Sequence, residues 1–175
     1  MLKVIHWMHR HEIRMFLYVN QRFRGKVLDA IVGTLTHLGG ATATITVTLL
    51  LALFGNGAWQ TTGIQALAAL AVSHIPVALV KRFYPRRRPY LVIPNTRISM
   101  NPLEDHSFPS GHSTAIFAVT VPFVAAFPPL GFVLIPLALA VALSRMYLGL
   151  HYPSDCLAGA LLGTGSAIAS VSVWP

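Results

Sequence analysis

The chain has 175 residues, 54% of them hydrophobic and 10% charged, with a mean hydropathy of +0.62. An ordinary soluble domain carries about 25% charged residues, so these figures argue against one, and the apolar content excludes disorder. Thirteen Lys and Arg against five Asp and Glu leave a net charge of +8. Such a balance suits nucleic acid, anionic lipid or a phosphorylated substrate, and on so apolar a chain nucleic acid fits least. The single cysteine, Cys156, rules out an intrachain disulfide or a Cys-based metal cluster and reads as a small packed residue.

From Met1 to Lys26 the chain mixes basic residues (Lys3, Arg10, Arg14, Arg22, Arg24, Lys26) with Trp7, Met8, Phe16 and other apolar side chains. It lacks the long apolar stretch and small-residue cleavage site of a signal peptide, and is expected to be an amphipathic helix at the bilayer surface. Val27–Leu38 is too short to span alone and carries Asp29 and His37. It either lies in the interface or extends the next apolar run. That run, Ala41–Phe54, is bounded by Gly39-Gly40 and Gly55-Asn56-Gly57. Thr61–Val80 is a good span. Ser113–Phe127, Gly131–Leu150 and Leu157–Val173 follow, and several of these reach the ~20 residues of a bilayer crossing only with their flanks. Pro76, Pro122 and Pro136 inside apolar runs are tolerated in membrane helices. Gly159 and Gly163 form a small-xxx-small face that packs helices. The expected fold is all-α: a polytopic membrane bundle of five to six transmembrane helices, five favoured, behind an N-terminal amphipathic segment. The division is 1–26 for that segment and 27–175 for one membrane domain.

The polar residues after the N-terminal region concentrate in the loop Lys81–Pro109. Counting alternating spans puts this loop, the start of the Ser113 helix and the His151 region on one membrane face. Lys81-Arg82-Phe83-Tyr84-Pro85-Arg86-Arg87-Arg88-Pro89 places five cations within eight positions. It reads as a positive-inside anchor or as a phosphate clamp, because guanidinium matches phosphate oxygens. Pro109-Ser110-Gly111-His112 opens an apolar helix. Free N–H groups there suit an anion, Gly111 permits close approach, and Ser110 either caps the helix or bonds a phosphate oxygen. In Ser144 to Asp155, Arg145 sits near the end of an apolar helix, where an ionisable group marks a functional site by default. Asp155 follows His151 by four residues; an aspartate bonded to one imidazole nitrogen leaves the other nucleophilic. A helix cap with a snorkelling arginine is the plainer alternative. Together, two histidines, an aspartate and several cations form a set suited to phosphate removal without a metal.

These three motifs resemble those of the type 2 phosphatidic acid phosphatase (PAP2) superfamily of integral membrane lipid phosphatases. Lys81 with Arg88-Pro89 is similar to its first motif, Pro109–His112 to its second, and Ser144-Arg145, His151 and Asp155 to its third. All three match without departure, over a core from about 61 to 173. The resemblance implies His151 as the nucleophile that forms a phosphohistidine, Asp155 as its orienting partner and His112 as the general acid. It implies Lys81, Arg88, Ser110, Gly111 and Arg145 as the phosphate holders, with no metal and no cofactor. The acidic pair Glu104-Asp105 tunes the loop or contacts substrate. His6, His9 and His11 fit an interfacial helix, His37 and His74 fit buried hydrogen-bonded roles, and His106 is a candidate substrate contact.

The partners implied are the bilayer and a phospholipid or polyprenyl (di)phosphate, with no nucleic acid. The lean is toward undecaprenyl diphosphate, with phosphatidylglycerol phosphate and phosphatidate close behind. In the five-span arrangement the basic residues share one face, which the positive-inside rule makes cytoplasmic. The resemblance implies a site facing outward from the cell membrane, and the outward site is the expectation adopted. A lipid transporter or a non-catalytic scaffold are the rival classes.

Overall fold

The computed structural model describes residues 2–23, 25–100 and 102–174, with side chains from residue 7 onward. Arg24 and the side chains of Lys3 and His6, part of the predicted surface segment, lie outside the described residues. The described chain is all-helical: α1 (Leu2–Arg22), α2 (Lys26–Leu35), α3 (Ala41–Phe54), α4 (Ala58–Phe83), the short α5 (Pro89–Val92), α6 (Gly111–Ala126), α7 (Gly131–Tyr147) and α8 (Pro153–Val173).

Length and apolar composition suit three helices for crossing a membrane: α4, α7 with its preceding turn, and α8. The pair Lys26–Gly39 and Ala41–Phe54 meets the same criteria only when taken together, and it is bent by 50° at the intervening break, as in a broken span or a re-entrant loop. The fifth apolar helix, α6, has 16 residues and is shorter than a usual span. It lies among α4, α7 and α8 and buries eight residues, from Ser113 to Phe123. Its low polarity on every side is what such a central position requires.

Small residues set the closest approach. A Cβ at Gly159 would lie 3.0 Å from Thr114 Oγ1, and one at Gly163 would overlap Thr114 O and stand 2.9 Å from Ala118 N. The glycine face therefore seats α8 directly on α6, as the spacing predicts. Gly39 works alike at the bend: a Cβ there would meet Val141 Cγ1 at 2.6 Å and His112 O at 2.9 Å.

The N-terminal helix does more than lie on a surface. Trp7, Met8, Met15 and Tyr18 are exposed, as an interfacial helix needs, but Phe16 and Asn20 are fully buried. Phe16 packs on Tyr152, with Ile93, Ala142 and Met146 in the same cluster. Asn20 donates to Tyr147 O (2.9 Å) and Arg97 O (3.0 Å) and accepts from Arg97 N (3.0 Å). Glu12, Phe16 and Asn20 recur at four-residue spacing, so one stripe of α1 grips the rest of the molecule.

Candidate active site

Four helix ends meet at one end of the bundle. α4 delivers Lys81 in its last turn, α6 begins at Gly111 and His112, α7 delivers Arg145 in its last turn, and α8 carries Asp155 in its first. Arg88 precedes the short α5, and His151 lies in the turn between α7 and α8. Lys81, Arg88, Gly111, His112, Arg145 and His151 all line one cavity of about 240 Å³, with Asp105 and His74. The counting argument for convergence therefore holds.

The geometry assigns a direction to His151. Its Nε2 lies 3.1 Å from Arg88 Nη1, which can only donate, so Nε2 carries the lone pair. Nδ1 then carries the proton and faces Asp155 Oδ2 at 3.6 Å, within ion-pair range and longer than a hydrogen bond. Burial pushes the His151 imidazole down to about 4; Asp155 opposes this, and Arg145 and Arg88 add to it. The ring is consequently neutral at ordinary pH, with its Nε2 lone pair accepting from Arg88 at the cavity.

Asp155 is fully buried behind it. Oδ2 accepts from Tyr152 N (2.8 Å) and from the Ser107 hydroxyl, and Oδ1 accepts from Arg86 Nη1 (2.6 Å). Arg88, 1% exposed, donates to Leu150 O and Asp105 O at 2.9 Å and to Asp105 Oδ1 at 2.5 Å. Asp105 also pairs with Lys81. Burial would raise the Asp105 carboxyl, but Lys81 and Arg88 hold it down at about 2. Arg145, 2% exposed, donates to Thr36 Oγ1 (2.9 Å), and its Nε has no hydrogen-bond partner among the described residues. A desolvated guanidinium with an unused donor beside a cavity is suited to an anion.

Ser110 takes the capping alternative. Its buried hydroxyl accepts from Ser113 N and Ser113 Oγ, and its own N–H donates to Asp155 O (3.0 Å). Gly111 is open: a Cβ there would meet nothing within 4 Å. A second cavity of about 300 Å³ lies between α3 and α4, lined by Thr44, Ile45, Leu67, Leu70 and Ala71, and shares Ala41 and His74 with the polar one.

The sequence model of the PAP2 superfamily matches residues 62–175. The chain belongs to the PAP2 superfamily. It is 28% identical over 147 residues to the undecaprenyl-diphosphatase of Sulfolobus acidocaldarius, covering 83% of this chain and 70% of that protein. It is 33% identical over 105 residues to the bacitracin transport permease protein BcrC of Bacillus licheniformis, covering 60% of this chain. There it spans about half of the relative, 52% of its length. The crystal structure of Aquifex aeolicus LpxE superposes with a TM-score of 0.83 at 23% identity, over 91% of this chain and 94% of that one, which bears out the fold.

Several residues of this PAP2 site escape a motif reading. Arg86 belongs to the predicted cation cluster, but the structure turns it to Asp155 and Glu12, away from the cavity with Lys81 and Arg88. Glu12 and Thr36 reach the site from far along the chain, and no local pattern links them to it, whereas Ser107 lies two residues before the second motif and bonds Asp155, 48 residues further on. His74 has a sequence signal, an ionisable group inside an apolar run. It sits at the junction of the two cavities, with Nδ1 bonded to Leu70 O at 2.9 Å.

Proposed function

We propose that this chain is a lipid phosphatase that removes the terminal phosphate of a polyprenyl diphosphate, undecaprenyl diphosphate first among them, through a phosphohistidine and without a metal. The orientation of His151 carries this reading: its lone pair faces a cavity edged by Lys81, Arg88 and Arg145, and its N–H faces a buried carboxylate. In the first step His151 Nε2 attacks phosphorus, the bond to the leaving oxygen breaks with its electron pair on that oxygen, and His112 supplies the proton. Asp155 stabilises the cationic ring. Water then attacks phosphorus, gives a proton back to His112, and the P–N bond pair returns to His151. Lys81, Arg88 and Arg145 neutralise the non-bridging oxygens, and the amides at Gly111 add donors of the α6 start. Ser110 holds that start in place. The apolar slot between α3 and α4 is where the lipid chain would lie, with the headgroup junction at Ala41 and His74. The name of the Sulfolobus acidocaldarius relative supports a polyprenyl diphosphate.

The test is phosphate release by the purified protein in detergent with excess EDTA. Undecaprenyl diphosphate, phosphatidylglycerol phosphate and phosphatidate are offered in parallel. The expected outcome is EDTA-resistant release, fastest from the diphosphate. His151→Ala should lower it by about 10³-fold or more, and His112→Ala by about 10²-fold. Release unchanged in His151→Ala would overturn the mechanism, and no release from any of the three lipids would favour the transporter or scaffold classes.

A further inference from the structure

We propose that Glu12 is a positioning residue of the active site: through Arg86 it fixes Asp155 and preserves the negative charge that Asp155 presents to His151. The proposal rests on the reading of His151 as nucleophile. Glu12 lies on α1, outside the matched residues 62–175.

The contacts form a closed cluster. Arg86 Nη1 donates to Asp155 Oδ1 (2.6 Å) and to Ser154 Oγ (2.7 Å), and Nη2 donates to Glu12 Oε2 (2.7 Å). The second Glu12 oxygen accepts from Ser154 N (3.2 Å) and from the Ser154 hydroxyl. Glu12 therefore grips both the guanidinium that holds Asp155 and the residue beside Asp155. The Arg86 guanidinium is also fixed from its face, 4.0 Å above the Tyr152 ring. Glu12 is 15% exposed, Arg86 20% and Asp155 0%, so solvent screens this cluster far less than a surface pair.

Charge counting gives the device its purpose. Arg86 and Asp155 alone would cancel, and His151 would face a neutral pair. That would remove the support a cationic ring needs during phosphoryl transfer. With Glu12, two carboxylates share one guanidinium and the cluster keeps one net negative charge. When His151 becomes cationic, the assembly is neutral. Of the other groups facing His151, Arg88 before α5 and Arg145 on α7 work against that cation, as does His112 on α6 while it holds the proton for the leaving oxygen, and the Asp105 carboxylate in the same cavity is engaged by Arg88. Lys81 on α4 is itself paired with Asp105. The Tyr152 phenol stays protonated, since burial raises it.

The experiment follows the acid limb of kcat/KM for the full-length protein in detergent with undecaprenyl diphosphate. Glu12→Gln removes a negative charge near His151, so the limb should move to lower pH by about 0.5 unit. At neutral pH kcat should fall about 10-fold while KM stays within about twofold. Arg86→Gln removes a positive charge and should move the limb upward by a similar amount. The double variant should return it to near its original position. Ser154→Ala, which keeps both charges, should leave it in place. Glu12→Asp keeps the charge and shortens the reach, so it should lose kcat with the limb unmoved, and it carries the test where Glu12→Gln does not fold. Limbs that stay put in Glu12→Gln and Arg86→Gln, or move in the same direction, would overturn the proposal, as would a Glu12→Asp limb displaced as far as that of Arg86→Gln. Activity surviving in His151→Ala would instead overturn the nucleophile reading. Activity lost in His151→Ala with an unmoved limb in Glu12→Gln overturns the Glu12 proposal alone.

Discussion

Asp105 is the residue that occupies two of the cavity's three cations. It pairs with Lys81 and with Arg88, the two residues carried by the first motif, so an arriving phosphate competes with a carboxylate already bound there. Removing that competitor should strengthen anion binding. Asp105→Asn is expected to lower the inhibition constant of inorganic phosphate about 3- to 10-fold, read from phosphate inhibition of lipid hydrolysis. The sign of its pH effect is also fixed. The folded carboxyl sits at about 2, below its ordinary 3.8, so the unfolded chain binds more protons between those values. The stability from this pair is complete above about pH 4 and lost as pH falls toward 2. Melting temperatures of the wild type and Asp105→Asn should therefore converge at the acid end, and a gap that persists unchanged at pH 2 would contradict the pairing. At this scale the legible residues are those with fixed spacing and few alternative uses: Lys81, Arg88, His112, Arg145, His151 and Asp155. Arg86 was visible only as one of five cations. Its assignment needed Glu12, 74 residues away, and nothing local in either segment records that meeting.

The contact of α6 with α8 is the seam that fixes the second and third motifs relative to each other. Ser110 and Asp155 are joined across it by a backbone hydrogen bond of 3.0 Å, and the two glycines of α8 lie along its length. A side chain at Gly163 has no space, because Thr114 O and Ala118 N are backbone atoms that cannot swing aside. Gly163→Val is expected to destabilise the protein by about 1–3 kcal/mol, the usual range for overpacking, and to lower activity by tilting α8 and Asp155 away from His112. Gly165→Ala, where a Cβ meets nothing within 4 Å, is the matched control and should be silent in both thermal melting and turnover. Equal effects of the two would show that the seam is loose. Apolar runs made α4, α6, α7 and α8 legible, since each must exclude polar groups from bilayer or core. The 50° bend at Gly39-Gly40 was not, because the close approach of Gly39 to Val141 and His112 beside it is a tertiary contact that no local pattern records. The sequence also predicted α1 as a surface helix. Its burying stripe was hidden because Glu12 and Asn20, polar residues, occupy two of the three positions that grip the molecule.

The direction of the helices decides where the charge lies. α2 lies against Tyr147 and Arg145 at the site end, through Asp29 near its start and Thr36 just past its end, and α3 runs from there to Gly55 on the far side. α4 returns to Lys81, α6 leaves from His112, α7 returns to Arg145 and α8 leaves again. Counted as traverses of the bundle, α3, α4, α6, α7 and α8 make five passages, of which only α4, α7 with its preceding turn and α8 have the length of a membrane span; this count places α1 on the face of the site, where Glu12, Phe16 and Asn20 tie it. The far connections, Gly55-Asn56-Gly57 and Phe127-Pro128-Pro129-Leu130, contain no charged residue. The positive-inside rule would make the site cytoplasmic, but Lys81, Arg86, Arg88 and Arg145 are each engaged in the site, and a catalytic reason for a basic face weakens the rule as a guide. We propose that the site faces outward, so that the diphosphate is met on the outer leaflet. Arg10, Glu104 and Asn56 are exposed and are suitable for single cysteines, while Cys156 is buried and should stay unlabelled. In intact cells a membrane-impermeant maleimide should label Arg10→Cys and Glu104→Cys alike, and Asn56→Cys only after lysis. Different behaviour of Arg10→Cys and Glu104→Cys would break the five-passage arrangement itself. Protection of both, with Asn56→Cys labelled, would keep that arrangement and turn the site to the cytoplasm.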